Sequence, residues 1–290
     1  MGVGARRSRL VVVLVVCLAI GLGSLSAQPW ERGSRRNGYG DDRNGVPEWT
    51  VKPQFKSDTF TFARVIYSSN SSRGGRGRGR RGGCWTDYPD SDLNFSFRLQ
   101  QLTAMKVAPE GVQLELTDPR LSDYPFIYMV EPGRLLFSAQ EVFALREYLE
   151  GGGFLMVDDF WGEDEWDNFY KEIKRVFPDR EPVDISMEHR IFNMVFPLNE
   201  VLEKVPQIPS IRSAQRGRYE GITWERWDAQ DPHYRVITND QGRIMVMICH
   251  NTDLGDGWER EGEDEWYFRE FSEKKAYPLG INIVFYAMTH

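Results

Sequence analysis

The sequence predicts an α/β protein with a mainly parallel sheet and helices on both faces. Three observations predict it. Strand-like and helix-like segments alternate along the chain. Two strand segments, "FIYMV" (126–130) and "FLMV" (154–157), are continuously apolar, as strands covered on both faces are. A third, "VQLELTD" (112–118), alternates strictly: Val112, Leu114 and Leu116 against Gln113, Glu115 and Thr117. That pattern suits an edge strand with one wet face.

The elements follow in order. "FTFARVIY" (60–67) is rich in aromatic and branched residues and reads as the first strand. Asp90, Ser91 and Asp92 offer caps for a helix running to about Met105, with Phe95, Leu99 and Leu102 on one face. After the 112–118 and 126–130 strands, Ser138 and Glu141 form a capping box. The helix behind it carries Val142, Leu145 and Leu149 on its apolar stripe, and Gly151, Gly152 and Gly153 end it. The 154–157 strand runs into Asp158 and Asp159. The next helix places Trp166, Phe169, Tyr170, Ile173 and Phe177 on one stripe. Its first turn, Glu163, Asp164 and Glu165, suits the positive end of a helix without any ligand. "YRVIT" and "RIMVMIC" flank Asn239 to Gly242 and read as a C-terminal β-hairpin. "GINIVFYAMT" (280–289) is apolar all round and buried, and periodicity leaves helix and strand equally open. A flavodoxin-like strand order, 2-1-3-4-5, puts the alternating strand at the edge and the apolar strands inside.

The first 27 residues stand apart. Arg6, Arg7 and Arg9 precede an apolar run of thirteen residues, Leu10 to Leu22, and small residues follow up to Ala27. This is the layout of a secretory signal peptide, and the run is short for a membrane span. The expectation is therefore an exported protein, periplasmic or secreted. Its attachment to a membrane would come only through an uncleaved signal segment. Residues 28–57 are polar and glycine-rich and read as a flexible linker to a domain over 58–290. Loss of residues 1–27 removes three arginines and no acid, which moves the net charge from −7 to −10.

That charge bears on the stretch "SRGGRGRGRRGGCW" (72–85), which holds five arginines and six glycines and lies in an Arg/Gly-rich loop over 68–84. Nucleic-acid affinity comes from neutralising phosphates, and RNA-binding arms interleave aromatics for stacking. This acidic chain has no aromatic in the stretch before Trp85, so no nucleic acid is expected as a partner. Cys84 and Cys249 are the two cysteines beyond the leader; they are either a disulfide or two lone thiols.

Ligands of open α/β sheets bind outside the carboxyl ends of the strands. That rule selects Trp85 and Asp87 after the first strand and Glu131 after the 126–130 strand. It also selects Asp158 and Asp159 after the 154–157 strand, and His250, Asn251 and Asp253 after "RIMVMIC". Clustered carboxylates serve as ligands of a hard cation or as an acid–base pair, and equally as bonds to loop amides. No zinc spacing, phosphate-cradling loop or nucleophile elbow occurs, so the sequence assigns no metal and no cofactor. His189, in "MEHRIF", has no neighbour at ligand spacing.

Several blocks together resemble a bacterial family of unknown function, domain of unknown function 4159. They are "FARVIY", "CWTDYPDSDLNF", "LTDPRLSDYPFIYMV", "FSAQEVFALREYLEGGGFLMVDD", "MEHRIFNMVF", "HNTDLGDGWE" and "YPLGINIVFYAMT". The resemblance spans roughly residues 58–290. It implies a class I glutamine amidotransferase-like fold and a helix at 280–289, and it implies no activity. Glutamine hydrolysis needs a cysteine on a glycine-flanked elbow with a histidine partner, which neither "GGCWT" nor "MICHN" supplies. The expectation is a non-catalytic domain that binds a protein or small-molecule ligand. The alternative is a carbohydrate-related or metal-assisted hydrolase using Asp158 and Asp159 with Asp253 or His250.

Overall fold

The computed structural model describes residues 45–69 and 83–290. The expected leader, most of the linker and most of the Arg/Gly loop lie outside the described residues. The strands are β1 (Ala63–Ile66), β2 (Val112–Glu115), β3 (Phe126–Val130), β4 (Phe154–Asp158), β5 (Val183–Asp184), β6 (His233–Thr238) and β7 (Ile244–His250). They form one sheet in the order β2-β1-β3-β4-β7-β6-β5. The first five in that order are mutually parallel. β6 runs antiparallel to β7, and β5 antiparallel to β6. The alternating segment is the edge strand β2, and the two continuously apolar segments are the interior strands β3 and β4. The C-terminal hairpin is β6 and β7, and its second strand enters the sheet beside β4.

The helices are α1 (Asp90–Leu102), α2 (Ala139–Glu150), α3 (Gly162–Val176), α4 (Leu198–Val201), α5 (Ile211–Gly217), α6 (Leu254–Glu259), α7 (Glu265–Tyr267) and α8 (Tyr277–Thr289). A π-helical stretch, Phe268–Ala276, leads into α8. The apolar segment left open between helix and strand is therefore helical, as the resemblance implies. No helix among the described residues is long and apolar enough to cross a membrane.

Alternation along each interior strand builds two cores. Phe126, Tyr128 and Val130 of β3 face one side, where they meet Phe95 and Leu99 of α1, Trp258 of α6 and Ile281 of α8. Ile127 and Met129 face the other, with Leu145 and Leu149 of α2 and Phe169 and Ile173 of α3. Ser138 caps α2 as read: its side chain accepts from the Glu141 amide while Glu141 reaches back to the Ser138 amide. Past its end, Gly152 takes φ +117°, and a Cβ on Gly153 would stand 2.3 Å from the Tyr148 ring. The glycine run thus lets the chain turn under Tyr148 into β4.

The start of α1 differs from its reading. Pro89 precedes the helix, and Asp90, Ser91 and Asp92 are its buried first turn rather than caps. The reason is Arg64 of β1, whose guanidinium is buried and draws Asp92 inward. The helix ends at Leu102, short of Met105, because Thr103 turns extended and its hydroxyl bonds the Leu99 carbonyl. Further along α1, Arg98 pairs with buried Glu261, which also accepts from the Tyr277 hydroxyl. That network joins α1 to α8.

Candidate functional site

Because β1, β3, β4 and β7 are parallel, their carboxyl ends share one edge of the sheet. A cleft of about 380 Å³ opens there. Asp87 reaches it from the segment after β1, Glu131 from β3, Asp159 from β4 and Asp253 from β7. Three of these four take left-handed backbone: Asp87 at φ 61°, Glu131 at 50° and Asp159 at 56°. At Glu131 and Asp159 the chain thereby turns sharply as it leaves β3 and β4, and at Asp87 it does so just before α1, so that each carboxyl lines the cleft.

The remaining four selected residues lie elsewhere. Trp85 is half-buried and packs edge-on against Tyr88, with ring centroids 5.5 Å apart. Asp158 is fully buried beneath the cleft. One oxygen accepts from the Leu254 amide (2.9 Å), the Gly255 amide (3.0 Å) and the Tyr128 hydroxyl (3.1 Å). His250 is buried beside Phe160 and Trp166, and its Nε2 lies 3.1 Å from the Gly162 carbonyl. Asn251 accepts from the Gly162 amide and donates to the Asp231 carbonyl. His250 and Asn251 therefore secure the turn between β4 and α3. His189 stays outside the cleft, where its Nδ1 accepts from the Ile191 amide.

Other residues complete the cleft. Glu165, Glu225 and Asp256 bring its carboxyls to seven, against Arg134, Arg226 and Arg260. Arg226 pairs with Glu165, and Arg260 with Asp256 and Glu259. The strand-end rule missed Asp256, although its place three residues after Asp253, on one side of a turn, is a signal that points to it. Glu225 sits between α5 and β6 without any periodic signal.

These carboxyls crowd one another out of water. Burial, then Asp256 and Glu259, push the Asp87 carboxyl well above the usual range. Burial, then Glu131 and Asp87, do the same to Asp159. Burial, then Asp159 and Asp256, raise Asp253. Burial raises Asp158 to about 7 against the opposing pull of its amide donors. Glu131 is raised by burial, offset in part by the Gly83 amide that bonds it. Each of these carboxyls is thus harder to ionise than in water, and a cation placed among them would favour the ionised form again.

His250 supplies a pH prediction away from the cleft. Burial holds its imidazole down to about 3, against the opposing Gly162 carbonyl and, more weakly, Asp184, while Arg235 and His233 add to the shift. An unfolded chain takes up this proton near pH 6.5, and the folded chain does not until about 3. Its contribution to stability is thus full above pH 6.5 and is lost as pH falls below that value, by at most about 1.4 kcal/mol per pH unit. Urea titrations between pH 7.5 and 4.5 are expected to show a shallower acid loss for His250→Gln than for the wild type. Parallel pH profiles for the two would refute it.

Among curated proteins, none matches this chain. The family described as Domain of unknown function (DUF4159) matches residues 61–288, a span that takes in all seven strands and the whole cleft. The chain belongs to the DUF4159 family.

Proposed function

We propose that the protein is an exported, non-catalytic binding domain of flavodoxin-like, amidotransferase-like architecture, with its ligand held in the carboxylate cleft. One observation carries the reading: Asp87, Glu131, Asp159 and Asp253 come from the segments that follow four different parallel strands and meet in one cleft. The parallel order β2-β1-β3-β4-β7 supports the fold assignment, since it follows the 2-1-3-4-5 pattern. Both described cysteines are free and buried. Burial pushes the Cys249 thiol well up, away from the thiolate that a nucleophile needs. The ligand class is cationic or rich in hydroxyl groups, because carboxylates accept hydrogen bonds and attract positive charge.

Thermal shift with a panel of sugars, polyols and polyamines tests this. A ligand of the cleft raises the midpoint with concentration, and the rise disappears in Glu131→Gln. If no member of the panel shifts the wild type, the reading fails. Turnover of a glycoside, ester or amide that is lost in Asp159→Asn would replace binding by hydrolysis.

A further inference from the structure

Asp87, Asp159 and Asp253 form a tighter group inside the cleft. One carboxylate oxygen from each lies within 4.8 Å of the other two. Among the described residues, no salt bridge joins any of the three to a basic side chain. Arg226 and Arg260 are engaged by other acids. Arg64 is turned to Asp92 and to the carbonyls of Cys84 and Thr86.

Two further observations point to a missing partner. Asp87 Oδ2 is buried and has no hydrogen-bond donor, and the same holds for Oδ1 of the fully buried Asp158, the residue before Asp159. Buried carboxylate oxygens are normally satisfied, because water has been taken from them without replacement. Meanwhile Asp159 receives the Trp161 indole N–H at 3.0 Å, and Asp253 Oδ1 receives the Asp256 amide at 2.6 Å. Those bonds hold two of the carboxylates in place. The chain also keeps this spot clear of side-chain atoms. A Cβ on Gly255 would stand 2.5 Å from Asp87 Oδ2 and 3.4 Å from Asp253 Oδ1.

We infer that Asp87, Asp159 and Asp253 bind a hard divalent cation, calcium or magnesium, within the cleft. Both ions take carboxylate oxygens, and neither needs the nitrogen or sulfur ligands that this group lacks. The inference rests on the binding reading above, and it names the first component that the cleft takes. Asp87 is the pivot, since it also groups with Asp256 and Glu259. The pair Asp159 and Asp253 is favoured over that second grouping because Asp256 and Glu259 already share Arg260 as a partner.

The test uses the full chain, stripped with chelator, and the cations alone. Calorimetric titration with calcium chloride and with magnesium chloride is expected to show one bound ion. The arm with the tighter isotherm identifies which. Terbium supplies a second readout, because the Trp161 indole bonded to Asp159 is placed to sensitise its emission. Asp87→Asn and Asp253→Asn are each expected to weaken binding by roughly tenfold or more, as loss of a ligand charge does. Gly255→Ala keeps every charge and inserts a methyl group between the oxygens, so it is expected to weaken binding too. Glu141→Gln, on the far capping box, is expected to leave it unchanged. Absence of binding heat for both cations, or equal affinity in wild type, Asp87→Asn and Asp253→Asn, overturns the inference. A cation that binds while the sugar, polyol and polyamine panel is silent would retain the inference and reject the ligand reading.

Discussion

Replacing Arg64 by methionine is expected to destabilise the fold by about 3–5 kcal/mol, the range for stranding one partner of a buried ion pair. Arg64 is 1 % exposed and lies in β1 with its guanidinium under the start of α1. Nε donates to Asp92 at 3.0 Å, Nη1 to the Thr86 carbonyl at 2.8 Å and Nη2 to the Ser91 hydroxyl at 2.9 Å. Its removal leaves Asp92 charged in the interior and frees the segment from Cys84 to Asp92. That segment carries Asp87, so the variant should lose cation binding as well as stability. Denaturant unfolding of Arg64→Met, Asp92→Leu and the double variant checks the cause. The double variant is expected to recover much of the loss, because an apolar pair leaves no unpaired charge. A single-variant loss below about 1 kcal/mol would show that the pair does not hold the segment.

Trp258→Ala is expected to cost a similar amount, about 3–5 kcal/mol, through the cavity it leaves. The indole is fully buried. Its ring packs 4.4 Å from Phe95, 5.8 Å from Tyr128 and 6.4 Å from Phe62, centroid to centroid. Gly280 of α8 gives it room, since a Cβ there would stand 2.6 Å from the indole. Trp258 thus anchors α6, the short helix that follows Asp253 and carries Asp256. The control is Trp227→Ala, whose ring is 86 % exposed and whose loss should stay within about 0.5 kcal/mol. Similar unfolding midpoints for the two alanine variants would refute the assignment.

These two residues show how far the sequence could be read. β1 was legible from its branched and aromatic residues, but nothing in "FARVIY" announces that its arginine points inward. An arginine in a strand reads as a wet face, and only the packed partner Asp92 reverses that. Interior strands were legible because an unbroken apolar run has few other places to go. At the cleft, the strand-end rule found Asp87, Glu131, Asp159 and Asp253, because a parallel sheet brings those ends to one edge. It also selected Trp85, Asp158, His250 and Asn251, which sit within a residue or two of cleft residues without lining the cleft. There the side chain's direction decides, and one residue of register sends Asp158 below the sheet edge and Asp159 above it. Glu225 comes from an irregular stretch whose path depends on long-range packing, and no local pattern marks it.

The left-handed turns at Asp87, Glu131 and Asp159 have a consequence for how the chain could change. Folding alone would favour glycine at such angles, and aspartate bears them better than glutamate does. Folding alone would also favour fewer like charges packed together. The rim therefore holds stability in abeyance. A lineage selected only for heat resistance would shed these side chains early, and would arrive at a sturdier protein with nothing left to hold.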